Sequence, residues 1–76
     1  MPRFLHLLKA DSASQATSVI EANARQPGAE VIVVLLDGAS APALPLGVQV
    51  RRVDPSDLHY SSLLDLIFES DHVIAW

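Results

Sequence analysis

The stretch Glu30-Val31-Ile32-Val33-Val34-Leu35-Leu36-Asp37-Gly38 decides the fold. A half-exposed antiparallel strand would carry polar side chains at every second place, whereas a strand covered on both faces reads as an unbroken apolar run. The β-branched content, the short length and the flanking glycines favour a strand over a buried helix. Val31 to Leu36 is therefore expected to lie inside a parallel sheet and to run straight into a turn at Asp37 and Gly38.

Upstream, Phe4 to Leu8 reads as a first strand, followed by the polar segment Lys9-Ala10-Asp11-Ser12. Asp11 or Ser12 can cap a helix there by accepting a bond from an orphan backbone N–H. Ala13, Ala16, Thr17, Ile20 and Ala24 then recur at spacings of three and four, a stripe of small residues that lets the helix sit close to a sheet. Pro27 and Gly28 stop it, because proline cannot continue the hydrogen-bond ladder and glycine takes left-handed conformations freely. Strand, helix and strand in this order imply a right-handed parallel βαβ unit.

Downstream, Gly38 to Gly47 holds two prolines and both flanking glycines and is expected to form a loop or a single helical turn. Val48, Val50 and Val53 alternate with polar residues, which places the third strand towards an edge. Asp54 and Pro55 end it. Tyr60, Leu63, Leu64, Ile67 and Phe68 fall at i, i+3, i+4, i+7 and i+8, the clearest helical pattern in the chain, within Ser56 to Ser70. Ser61 or Ser62, or Ser56 and Asp57 a turn earlier, are the expected caps. His72 to Trp76 reads as a last strand. The expected fold is a single α/β domain, residues 1–76, with a small, mostly parallel sheet of about four strands and two main helices. Two helices are few for covering both faces of such a sheet, so an apolar area is expected to remain as an interface.

A domain of 76 residues buries only about 60% of its unfolded surface and needs support from disulfides, metals or partners. With no cysteine, disulfides and thiolate metal sites are excluded. Apolar residues make up 50% of the chain and charged residues 18%, which points to association as the support. A net charge of -4 with five basic residues gives no electrostatic footprint for nucleic acid, and Arg51 and Arg52, being successive, point to opposite faces of a strand. No run approaches the ~20 apolar residues that span a bilayer, and the first residues lack a secretory pattern, so a cytoplasmic protein without membrane contact is expected.

In an open parallel sheet, ligands gather beyond the carboxyl ends of the strands, near a switch in strand order. That rule singles out Lys9 and Asp11 after the first strand, Asp37 and Gly38 after the second and Asp54 after the third. Asp37-Gly38 is equally a good strand-ending turn. His6, His59 and His72 are too scattered for a metal site on one element, and His6, inside the first strand, reads as a structural residue. His59 and Tyr60, at a helix start, are positioned to reach solvent or a partner. Glycine-rich phosphate loops and a nucleophile elbow are absent, so neither a cofactor nor an autonomous active site is expected.

Three segments together resemble the DsrH/TusB family of sulfur-relay subunits: Val33-Val34-Leu35-Leu36-Asp37-Gly38-Ala39, His59-Tyr60-Ser61-Ser62-Leu63-Leu64-Asp65-Leu66, and Ala75-Trp76, with Phe4-Leu5-His6 at the start. The resemblance implies a DsrE-like, flavodoxin-related fold and a homo- or hetero-oligomer with DsrE/DsrF-like (TusD/TusC-like) subunits. Such assemblies pass persulfide sulfur between cysteines, towards 2-thiolation of the tRNA wobble uridine or in sulfur oxidation. Where DsrH-type members carry a cysteine near the first helix, this chain has Ala10 to Ser14, and persulfide chemistry needs a thiolate. The loop Gly38 to Gly47 is also shorter than the family's crossover. The resemblance thus implies a non-catalytic subunit; Trp76 and Tyr60 are candidates for a partner or ligand site, and replacing either by Ala is expected to impair assembly or stability. The alternative expectation is a stand-alone homo-oligomeric domain that binds a small ligand near Asp37 and Gly38.

Overall fold

A computed structural model of the chain describes residues 2–10, 13–36, 40, 42–45, 47–53 and 59–76, with backbone alone at 13, 14 and 60. The run that opened the sequence forms β2 (Glu30–Leu35), paired in parallel with β1 (Arg3–Leu8) from Arg3↔Glu30 to Leu8↔Leu35. The ladder continues one step past β2, where the Leu36 N–H donates to the Leu8 carbonyl at 2.8 Å. On its other side β2 pairs in parallel with β3 (Gln49–Arg52). β4 (His72–Ala75) pairs in parallel with β1, which gives the order β3-β2-β1-β4. The third strand is an edge strand, as its alternation predicts.

Side chains of successive strand residues point to opposite faces, so each face takes a separate helix. Phe4 and Leu8 of β1 with Val31, Val33 and Leu35 of β2 pack against Ala16 and Ile20 of α1 (Ala13–Ala24). Leu5, Ile32 and Val34, one residue out of step, pack on the opposite side against Leu63 of α2 (Tyr60–Glu69), with Leu66 and Ile67 beside them. This division follows from topology. The chain steps from β1 to β2 to β3 in one direction and then jumps back across two strands to β4, so connections of one hand place the first helix and the last on opposite faces. Leu44 and Val48, from the segment between β2 and β3, pack on the α1 face as that rule requires.

Local chemistry sets the ends of the elements. α1 stops at Ala24, and Gln26-Pro27-Gly28-Ala29 closes a turn in which the Ala29 N–H donates to the Gln26 carbonyl at 3.1 Å. Gly28 has φ +75°, with proline just before it, the arrangement of a type II turn. Gly28→Ala is expected to cost about 1 kcal/mol in a urea titration through backbone strain alone.

α2 departs from the expected caps. Its N-cap is His59, whose carbonyl accepts from the Leu63 N–H at 2.9 Å, while Ser61 and Ser62 lie inside the helix. His59 adopts the extended backbone of a cap but makes no side-chain capping bond. Ser70 closes the other end, its hydroxyl donating to the Leu66 carbonyl at 2.6 Å. The other capping candidates, Asp11, Ser12, Ser56 and Asp57, lie outside the described residues, as does the strand breaker Asp54-Pro55.

Arg3 ties the amino ends of the strands together. Its Nε donates to Glu30 on β2 at 3.0 Å, its Nη1 to Glu69 at the end of α2 at 3.2 Å, and its backbone N–H to the Asp71 carboxylate at 2.7 Å. Glu30 foremost, then Glu69, hold the guanidinium firmly in its charged form. The cluster sits at the end of the sheet opposite the strand carboxyl ends, so it fixes β4 and α2 without occupying the ligand-facing edge.

Candidate functional site

The order β3-β2-β1-β4 puts the switch in chain direction between β1 and β4, since β1 leads towards β2 while β4 arrives from the far side of the sheet. The residues at that switch are Lys9, exposed after β1, and Trp76, half-buried after β4. Asp37 and Gly38, which follow β2 in sequence, lie with Asp11 outside the described residues. His59 is exposed at the α2 N-terminus, and the backbone of Tyr60 begins the helix. Both belong to the carboxyl end of the sheet, because α2 starts after β3 and runs back towards the start of β4. Lys9, His59 and Trp76 therefore share one end of the fold.

Trp76 is tied into the core by a polar network. Its backbone N–H extends the sheet by donating to the Leu7 carbonyl at 2.9 Å, and its indole Nε1 donates to His6 Nδ1 at 3.0 Å. The two rings lie near parallel at 19°, with centroids 6.3 Å apart. A short bond between the ring nitrogens at that centroid separation sets them side by side, so the indole N–H aims along the plane of the imidazole lone pair. The other ring nitrogen, Nε2, bonds Asn23 Oδ1 on α1 at 2.7 Å. His6 is completely buried (0% exposed), the only polar side chain inside the described core. Burial pushes its pKa down from the ordinary value, opposed by the Asn23 bond.

The structural reading of His6 stands, but its partners were hidden in the sequence. Asn23 sits three residues after Ile20 and seven after Ala16, on the same helical stripe, while His6 alternates in step with Phe4 and Leu8. Two polar residues on two apolar faces that meet must pair, since either alone would forfeit its hydrogen bonds. That coincidence was the available signal. The Trp76 bond had none, as its donor comes from 70 residues away.

The second feature is the outer side of α2. Leu63, Leu66 and Ile67 turn towards the sheet, while Leu64 is 54% and Phe68 83% exposed. These two are four residues apart on one helix, hence neighbours on its surface. Val73, on the α2 face of β4, and Val50, on the α1 face of β3, are also exposed, because each helix covers the middle strands and leaves an edge strand bare. Phe68→Asp is expected to change the unfolding free energy by less than about 0.5 kcal/mol, as checked by chemical denaturation.

Among the described residues no group of three or more His, Asp or Glu side chains is placed to hold a metal ion. No helix among them is long and apolar enough to cross a membrane. Comparison with protein families, with curated proteins and with solved structures finds no match to this chain.

Proposed function

We propose that the chain is a non-catalytic subunit of an oligomeric sulfur-relay assembly of the DsrEFH/TusBCD kind, acting in tRNA wobble-uridine thiolation or sulfur oxidation. The observation that carries the association is the exposed pair Leu64 and Phe68 on a helix whose neighbours already fill the core. Large apolar side chains clustered on a surface are costly in water and favour burial against a partner. The sulfur context rests on the order of the Asp37-Gly38, His59-Tyr60 and Trp76 motifs. The absence of cysteine assigns the persulfide to a partner's thiolate, with this subunit positioning it.

The test is mass measurement by light scattering on the purified chain, alone and mixed with DsrE-like and DsrF-like proteins. A defined hetero-oligomer is expected. A stable homodimer that ignores those partners would sink the relay reading and favour a self-associating domain.

A further inference from the structure

The His6 network admits only one protonation state. An indole N–H donates and cannot accept, so His6 Nδ1, facing Trp76 Nε1 at 3.0 Å, carries the lone pair. The ring proton then resides on Nε2 and is donated to Asn23 Oδ1 at 2.7 Å, an assignment made from the hydrogen-bond network. A second proton would enter at Nδ1, the ring's remaining lone pair, which now accepts the indole N–H. The imidazolium would then turn an N–H on the indole N–H, two donors head to head inside the core.

One partner has to leave, and the structure says which. Asn23 lies on α1, between Ile20 and Ala24, both packed on the sheet. Trp76 follows a four-residue edge strand that is bonded to β1 alone. We propose that His6 and Trp76 form an acid-released latch: protonation of His6 at Nδ1 expels the Trp76 indole, frees β4 from β1 and uncovers the β1 edge of the sheet.

The surroundings of His6 isolate the switch. On the face that His6 shares, β2 places Val31, Val33 and Leu35, α1 places Ala16 and Ile20 with Asn23 bonded to the ring, and the segment before β3 places Leu44 and Val48. Glu21 and Arg25 fall outside the α1 stripe, and Arg52 is exposed on the outlying strand β3. The titratable neighbour on the same face is His72 of β4, which stacks on Phe4 with ring centroids 5.0 Å apart and is itself exposed. His72 lies two residues before Ile74, the residue opposite His6.

The sign follows from linkage. A freed, hydrated His6 titrates near its ordinary value of about 6.5, whereas the latched ring resists the proton. Below about pH 6.5 and above the latched value, the open state binds one more proton, so the opening constant rises about tenfold for each pH unit lost.

The experiment reads the single tryptophan and the backbone amides between about pH 7.5 and pH 4.5, a range that brackets the imidazole titration. Trp76 emission should shift to the red, and hydrogen-exchange protection should fall in β4 by about tenfold per pH unit below about pH 6.5, with little change above it, while Ile32 to Val34 stay protected. Two variants hold the test open should one fail to fold. In His6→Gln, an uncharged amide stands in the place of the ring, and in Trp76→Phe the opposing donor is gone. Protection of β4 should be independent of pH over this window in His6→Gln and should vary less across it in Trp76→Phe than in wild type, where burial alone still resists the proton, and His72→Asn should behave as wild type. Unchanged emission and β4 protection while His6 titrates would overturn the latch. So would equal loss of protection in β2 and β4, or a pH response that survives in His6→Gln or vanishes in His72→Asn.

Discussion

Val33→Asp is expected to abolish the cooperative unfolding transition, leaving a chain with no sigmoidal thermal melt by circular dichroism. Val33 is fully buried in the middle of β2, opposite His6 on one side and Val50 on the other. Its cluster consists of Phe4, Leu8, Ala16, Ile20, Val31 and Leu35, and the polar groups on that face, His6 and Asn23, already bond each other. Among the described residues the buried core holds no Lys or Arg to pair with a carboxylate there, and the effective penalty for an unpaired buried charge is several kcal/mol. Domains in general hold only about 5–15 kcal/mol in total, and one of this size has little surplus. A cooperative melt within a few degrees of wild type would mean that β2 is not covered on both faces.

Leu5→Ala tests the other face and should lower stability by about 2–5 kcal/mol, through lost burial and the cavity left beneath α2. Leu5 is fully buried between Ile32 of β2 and Val73 of β4, on the side where Leu63 packs. For a domain of this size each kcal/mol moves the melting temperature by about 4–8 °C, so a drop of at least roughly 8 °C is expected. Leu64→Ala, on the outer side of the same helix, should shift it by no more than a few degrees. Equal shifts for the two variants would contradict the orientation of α2.

How far the sequence foretold this structure depended on whether the deciding contacts were local. The unbroken run from Val31 was legible because a two-sided environment leaves no place for polar alternation, and β2 does lie between two strands and two helices. The edge position of β3 was legible for the converse reason. The register of α2 was not. Five apolar positions define an arc wider than the sheet can cover, and only packing decides that Leu63, Leu66 and Ile67 turn inward while Leu64 and Phe68 face water. The candidate site was legible in part. A rule about strand ends pointed to Lys9, Asp37 and Asp54 alike, and only the strand order moves the switch to Lys9 and Trp76. Choosing His59 as the N-cap over the neighbouring serines likewise depended on where the chain leaves β3, which no local preference records.

We propose that the chain works by docking through the outer side of α2. That docking is tested most directly by comparing wild type with Phe68→Asp, each mixed with DsrE-like and DsrF-like proteins at equal concentration, by sedimentation velocity. The account predicts a single hetero-oligomeric boundary for wild type and a free chain for Phe68→Asp, with both proteins melting at closely similar temperatures. Wild type sedimenting alone, or Phe68→Asp assembling as well as wild type, would contradict it.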